Sequence, residues 1–334
     1  MYLNQTIISP SELKRNKQKR YLEETDYKWA GIDGFDIEVN LDDYPPKGTT
    51  DDETNLTNSV NFEDIQEDDQ NNDDYDFYTQ RRDYWLEDKI DNDISTHIYF
   101  LTVMSKLKEQ EKEYKDRYLC DPENEFIYGM KEQKKMTLVL DLDETLICAK
   151  QTPLEWYDHI VEVENSNSDK QKYYVSFRPY LFEFLEKMSK IYEIVIWTAA
   201  NRQYGEQMLN LIDPTRDFIS YSLFRGSCLN FQNCFIKDLS YLNRPLSHTL
   251  ILDNSFISFS GNLSNAMPIL DYCGDKHDVE LKYVAKDLED IYNKVANSLN
   301  PMNHDVRKVL RKMYLLEQRV REFVFLNPRK VIFQ

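Results

Sequence analysis

Hydrophobic residues fall along this chain in a few short, uninterrupted runs that alternate with segments of helical spacing. Residues 137–140, 191–197 and 249–252 are rich in Val, Ile and Leu, as strands buried on both faces require. Between them, 180–188 and 204–212 repeat apolar residues at helical steps, the period of a helix with one packed side. This alternation predicts an α/β fold. A central, mainly parallel, Rossmann-like sheet carries helices on both faces and its site at the strands' carboxyl ends. One interruption stands out. Residues 159–163 and 173–177 alternate apolar and polar around the turn-prone Asn165, Ser166, Asn167, Ser168 and Asp169, which predicts a small β-hairpin inserted after the first strand.

The flanks read differently, and they divide the chain into an extension (1–134), a globular domain (135–299) and a tail (300–334). Polar and acidic residues dominate the first 95 positions, where Pro45, Pro46 and the Asn/Asp-rich stretch 66–76 break any period. Such a segment lacks a core of its own. Its aromatics (Tyr27, Trp29, Phe35, Tyr75, Phe77, Tyr78, Tyr84, Trp85) suit docking, either onto the domain or onto a protein partner. Ile98, Leu101, Met104 and Leu107 recur at three-residue steps and predict one amphipathic helix near 94–117, packed on the core. In the tail, Val309, Leu310, Met313, Leu316, Val320 and Phe323 form a helical stripe among basic residues. That tail fits its own domain, the acidic extension, a partner protein or an anionic surface.

Charge sharpens this division. The net charge is −18, yet the stretch from Asp33 to Asp76 holds sixteen acids against Lys47 alone, so the rest of the chain is close to neutral. Phosphate would be repelled by that stretch, and no direct nucleic-acid contact is expected there. Five scattered cysteines (Cys120, Cys148, Cys228, Cys234, Cys273), none spaced C-x-x-C, indicate a reducing compartment and no structural zinc. No apolar run is long enough for a transmembrane segment, and no secretory leader is expected. Lys14, Arg15, Lys17, Lys19 and Arg20 suit a nuclear-targeting patch, a weak mitochondrial presequence or a plain solvated charge run.

The chemistry is carried by Asp141-Leu142-Asp143-Glu144-Thr145-Leu146, which directly follows the first apolar run. Side chains two apart on an extended backbone share a face, so Asp141 and Asp143 crowd together. That is costly unless a cation, a proton or a chemical role justifies it. Phosphoryl transfer provides such a role. Asp141 attacks phosphorus, while Asp143 protonates the departing oxygen and then activates water. Three further polar groups follow apolar runs: Thr198 after 194–197, Lys237 after 234–236, and Asp253 with Asn254 after 250–252. Strand ends in a parallel sheet converge, so all of them are expected in one crevice. Thr198 and Lys237 suit the phosphate oxygens. Asp141, Asp143 (through its carbonyl) and Asn254 suit Mg²⁺, which takes hard oxygens and keeps several waters.

As an ordered set, these motifs resemble the Fcp/Scp-type phosphatases of the haloacid-dehalogenase superfamily. The set is D-L-D-E-T-L (141–146), F-R-P-Y (177–180), W-T-A-A (197–200), F-R-G-S-C (224–228), I-K-D-L-S (236–240), L-I-L-D-N-S (250–255) and N-A-M-P (265–268). Those enzymes act on the C-terminal domain of RNA polymerase II and on other phosphoproteins. The resemblance implies Asp141 as nucleophile, Asp143 as acid/base and Mg²⁺ on Asp141, Asp143 and Asn254. It also implies phosphate on Thr145, Thr198 and Lys237, with Asp253 and Arg178 in support, and an extended Ser/Thr phosphoprotein as substrate. It matches the small members, since no room for a BRCT domain follows the catalytic part. Cys148, Gly226 and Phe256 stand where the family usually has His, an acid and Pro. A nuclear or cytoplasmic protein is implied. The alternative is a catalytically weak or inactive phosphatase-fold subunit or scaffold of a larger assembly, mitochondrial like the family's presequence-receptor branch.

Overall fold

The computed structural model of the protein describes residues 72–108, 136–164, 170–231, 233–299 and 304–327, with side chains over 75–101 of the first segment. These residues lie within one compact unit that begins at Leu56. Its centre is a five-stranded parallel sheet of β1 (Met136–Leu140), β5 (Tyr192–Trp197), β6 (Ile219–Leu223), β9 (Thr249–Asp253) and β10 (Ala266–Pro268), in the order β10-β9-β1-β5-β6. Every residue of β1, β5 and β9 is buried. Successive side chains alternate faces, so complete burial means that the sheet is covered on both sides. Helices α2 (Leu181–Ser189) and α3 (Arg202–Ile212) connect these strands, and α4 (Glu280–Ala296) packs against α2. The α/β class and the parallel sheet are as the sequence led us to expect.

The insertion after β1 is a three-stranded antiparallel sheet rather than a bare hairpin. β3 (His159–Glu164) and β4 (Lys170–Phe177) form the expected pair, and β2 (Ile147–Lys150) adds to the free edge of β4. Two short strands, β7 (Leu229–Phe231) and β8 (Cys234–Ile236), form a separate ribbon. Lys237 was expected at the edge of the central sheet. It enters instead from this ribbon, whose strands pair only with each other.

The N-terminal helix departs most from expectation. It was placed near 94–117. It begins instead at Asn72 and runs to Lys108 as α1, and positions 109–117 lie outside the described residues. Tyr78, Arg82, Leu86, Ile90, Ile94 and Ile98 are all buried and spaced by four, so one stripe of the helix faces the domain. The acidic character of the segment belongs to its other faces. Tyr75 donates to Asp287 of α4 at 2.6 Å, and Tyr78 stacks on Tyr283. Of the docking aromatics, Tyr27, Trp29 and Phe35 lie outside the described residues, and Phe77 and Tyr84 remain exposed. Truncating Ile90 to Ala is expected to cost about 2–5 kcal/mol, read as a lower denaturant midpoint.

The basic tail forms two helices, α5 (Val306–Tyr314) and α6 (Leu316–Leu326), divided at Leu315, whose φ of 52° is left-handed. Val306, Leu310, Tyr314, Leu316, Val320 and Val324 are buried. The tail therefore packs on its own domain, and Arg319 reaches Asp83 of α1 at 2.9 Å.

Candidate active site

The geometry of the site follows from strand pairing. Leu140 of β1 is level with Leu252 of β9 and Ile196 of β5, and the Asp141 N–H donates to the Leu252 carbonyl at 3.0 Å. The next residues, Asp141, Asp253 and Trp197 with Thr198, therefore leave the sheet at one edge. Lys237 arrives there from its ribbon, with its backbone pinned by Ser258 and Asn262. Its ammonium donates to Asp141 Oδ1 and to Asp253 Oδ2, both at 2.6 Å. Lys237 is 1% exposed, and Asp141 and Asp253 are buried. Burial disfavours the ammonium, but the two carboxylates outweigh it and hold Lys237 well above its ordinary range. Burial also pushes Asp253 upward, against the pull of Lys237.

Past Asp141 the chain turns sharply. Glu144 has a left-handed φ of 61°, held by its N–H to the Ile147 carbonyl and by the Tyr272 N–H to its own carbonyl, each at 2.7 Å. Arg178, buried, donates to the carbonyls of Thr145 (2.9 Å) and Leu270 (3.0 Å) and forms two 2.9 Å bonds with Asp278. It thus braces the motif turn and does not face the crevice as a free cation. The Thr145 hydroxyl donates to Asn254 Oδ1 at 3.2 Å, which ties the turn to the end of β9. Thr198 is buried, and its Oγ1 accepts the Ala200 N–H at 3.0 Å. A side chain at Gly205 would collide with the Phe224 ring, 2.6 Å from its Cβ position, so glycine lets α3 lie this close to Phe224.

Two residues that sequence reasoning passed over belong here. Tyr204 donates its hydroxyl to Asp143 Oδ1. Burial and the neighbouring Asp143 hold that phenol well above its ordinary value, so it remains a donor. Burial pushes Asp143 up to about 7, against the Tyr204 hydrogen bond, and Asp141 adds to the rise. The second residue is Asp271, whose Oδ1 accepts the Asn254 amide at 2.7 Å. Trp85 Nε1 (3.1 Å) and Lys89 Nζ (3.0 Å) of α1 bind the same carboxylate. Burial would raise Asp271, but these donors, Asn254 first, hold it below the usual carboxylate range. Tyr204 sat inside a helical stripe that read as core, and Asp271 follows a strand too short to show a pattern.

A hard divalent cation fits this donor set. Among the described residues no three His, Cys, Asp or Glu side chains gather as a metal cluster. Mg²⁺ does not need one, because a few protein oxygens and several waters suffice. With its NH₂ committed to Asp271, Asn254 must turn its oxygen toward the Thr145 turn. Lys237 occupies Asp141 Oδ1, and the other oxygen is the one left for an electrophile.

A family model described as NLI interacting factor-like phosphatase matches residues 136–299. Over those residues, just under half of the chain, the sequence is similar to the phosphatase domain of this family. A CTD small phosphatase-like protein 3 of Caenorhabditis elegans is 37% identical over 184 residues, covering 55% of this chain and 61% of that protein. The human carboxy-terminal domain RNA polymerase II polypeptide A small phosphatase 2 is 39% identical over 150 residues, covering 45% and 55%. A CTD small phosphatase-like protein 2 of Dictyostelium discoideum is 39% identical over 159 residues, covering 48% and 28%. The chain thus spans about six tenths or less of the length of these relatives. Within the matched residues lie Asp141, Asp143, Thr198, Lys237, Asp253 and Asn254, together with Tyr204 and Asp271. Trp85 and Lys89 lie outside them. No helix among the described residues is long and apolar enough to cross a membrane.

Proposed function

We propose that the protein is a Mg²⁺-dependent phosphoprotein phosphatase that works through an aspartyl-phosphate on Asp141. The observation that carries this reading is the buried Asp141–Lys237–Asp253 triad, set beside an acid with a raised pKa. Asp141 attacks the phosphorus of a phosphoserine or phosphothreonine, and the seryl or threonyl oxygen leaves with the proton of Asp143. A water then gives its proton back to Asp143 and attacks the same phosphorus, which releases inorganic phosphate and restores the Asp141 carboxylate. Lys237 and Thr198 bind the phosphate oxygens, where fixed donors are worth most, whereas the single O–H of Thr145, expected on phosphate, is given to Asn254. Tyr204 orients Asp143 between its two proton transfers. Asp141, the Asp143 carbonyl and Asn254 hold the Mg²⁺, which when bound neutralises charge on the phosphoryl group.

An extended peptide suits the site, because among the described residues the insertion between β1 and α2 is only the small sheet β2–β4. Tyr157, Ile160, Tyr180 and Phe182 are exposed on that sheet and at the start of α2. The relatives named for RNA polymerase II favour a nuclear or cytoplasmic setting over the mitochondrial alternative. The acidic stretch 33–76 suits a basic protein partner. Turnover of para-nitrophenyl phosphate with Mg²⁺, lost in EDTA, tests the reading. A folded protein without turnover would leave the phosphatase-fold subunit of an assembly in its place.

The raised Asp143 makes a separate prediction for the protein in EDTA. Between pH about 4 and about 7 the folded state keeps a proton there that the unfolded chain releases. The folded state binds more protons, so this contribution to stability is full below the unfolded value and is lost as pH rises through about 7. Thermal melts across that range are expected to show a shallower slope in Asp143→Asn, and also in the wild type once Mg²⁺ favours the ionised carboxylate.

A further inference from the structure

An asparagine amide has the same shape either way round, yet only one end of it attracts a cation. Something must decide which end faces the ion. Here the deciding group is Asp271, a carboxylate that can only accept, which takes the Asn254 NH₂ at 2.7 Å. Asp271 is itself held at both oxygens, Oδ2 by the Trp85 indole N–H and Oδ1 by the Lys89 ammonium. Lys89 also lies over the Trp85 ring, 5.3 Å from its centroid. Both donors belong to α1, 186 and 182 residues away in sequence. The helix is anchored by unrelated contacts: Leu86, Ile90 and Ile94 are buried, and His97 packs edge-on against Phe256, two residues past Asn254. The N-terminal helix therefore touches the segment 254–256 twice, once by polar relay and once by packing.

We propose that Trp85 and Lys89 are positioning residues for divalent-ion binding, acting through Asp271 to keep the Asn254 oxygen turned toward the Asp141–Thr145 loop. The docked helix α1 is then part of the site, although it lies outside the phosphatase domain, and its release from the domain loosens the ion. Without the two donors, Asp271 is free to rotate and the amide to turn, which presents NH₂ to the cation. The inference rests on the reading of Asn254 as an ion-binding amide.

The test is calorimetric titration of Mg²⁺ into the full chain without substrate, alongside the Mg²⁺ dependence of para-nitrophenyl phosphate turnover. In Trp85→Phe/Lys89→Met the Mg²⁺ dissociation constant is expected to rise at least about tenfold, the usual scale for outer-shell partners, with turnover recovering as Mg²⁺ saturates. Asp271→Ala is expected to do the same, and Lys89→Arg to restore binding. Ile94→Ala weakens helix packing without touching Asp271, and is expected to lower the melting temperature and leave Mg²⁺ affinity alone. Unchanged Mg²⁺ affinity in the folded double variant overturns the proposal, as does an equal loss in Ile94→Ala. If the wild type binds Mg²⁺ without turnover, the hydrolase reading fails, and calorimetry still decides this inference. If it binds no Mg²⁺, both fall.

Discussion

Asp141→Asn is expected to abolish phosphatase turnover, by about a thousandfold or more on the scale of other lost nucleophiles, in a protein that still folds. The substitution keeps the shape of the side chain, and an amide oxygen can still accept from Lys237, whose ammonium lies 2.6 Å from Asp141 Oδ1. What disappears is the charge and the nucleophile. Melting temperature separates this outcome from misfolding. Beryllium fluoride, which mimics an acyl-phosphate on a carboxylate, is expected to bind the wild type and not the variant. Residual turnover within tenfold of wild type would remove Asp141 from the reaction.

Lys237→Met is expected to have the largest effect on stability. The ammonium is the common partner of two buried carboxylates. Removing one member of a buried ion pair costs about 3–5 kcal/mol, because the remaining charge is stranded in a poorly polarisable interior. The loss has a defined pH dependence. Asp253, already raised by burial, rises further once the lysine is gone. The folded variant then holds a proton that its unfolded chain has released. Its stability deficit is therefore greatest near neutral pH and shrinks as the solution is acidified toward the usual carboxylate range. Urea unfolding at pH 5 and pH 8 measures this, and Lys237→Met/Asp253→Asn is expected to recover part of the loss. Turnover in the single variant falls with the loss of phosphate binding.

How much of this was legible in the sequence depended on how each residue's surroundings mark the chain. β1, β5 and β9 were readable because every position is buried and apolar or nearly so, and the polar groups gathered at the sheet edge were readable because they come directly after such runs. Tyr204 was hidden by its ring, which packs like any core aromatic against Tyr173 while its hydroxyl serves Asp143. The first half of α1 was hidden by composition. Its buried stripe is spaced strictly by four, but Arg82 sits in that stripe and acids crowd the flanks. That arginine is buried because Tyr314 and Tyr78 offer their ring faces, at 4.6 and 5.4 Å, with Asp287 at 3.5 Å, partners that no local pattern displays. Phe256, expected to depart from the family pattern, is buried between His97 of α1 and Phe259.

The Lys237 bridge also sets the order in which this molecule can become competent. Asp141 is delivered by the ribosome 96 residues before the ammonium that bonds to it, and Asp253 comes a further 16 residues later. A nascent chain ending before β9 therefore holds neither the triad nor the edge on which it stands. Premature termination there leaves Lys237 without Asp253, and during refolding the triad waits for a pairing 96 residues apart in sequence, which loop-closure entropy makes slow to form.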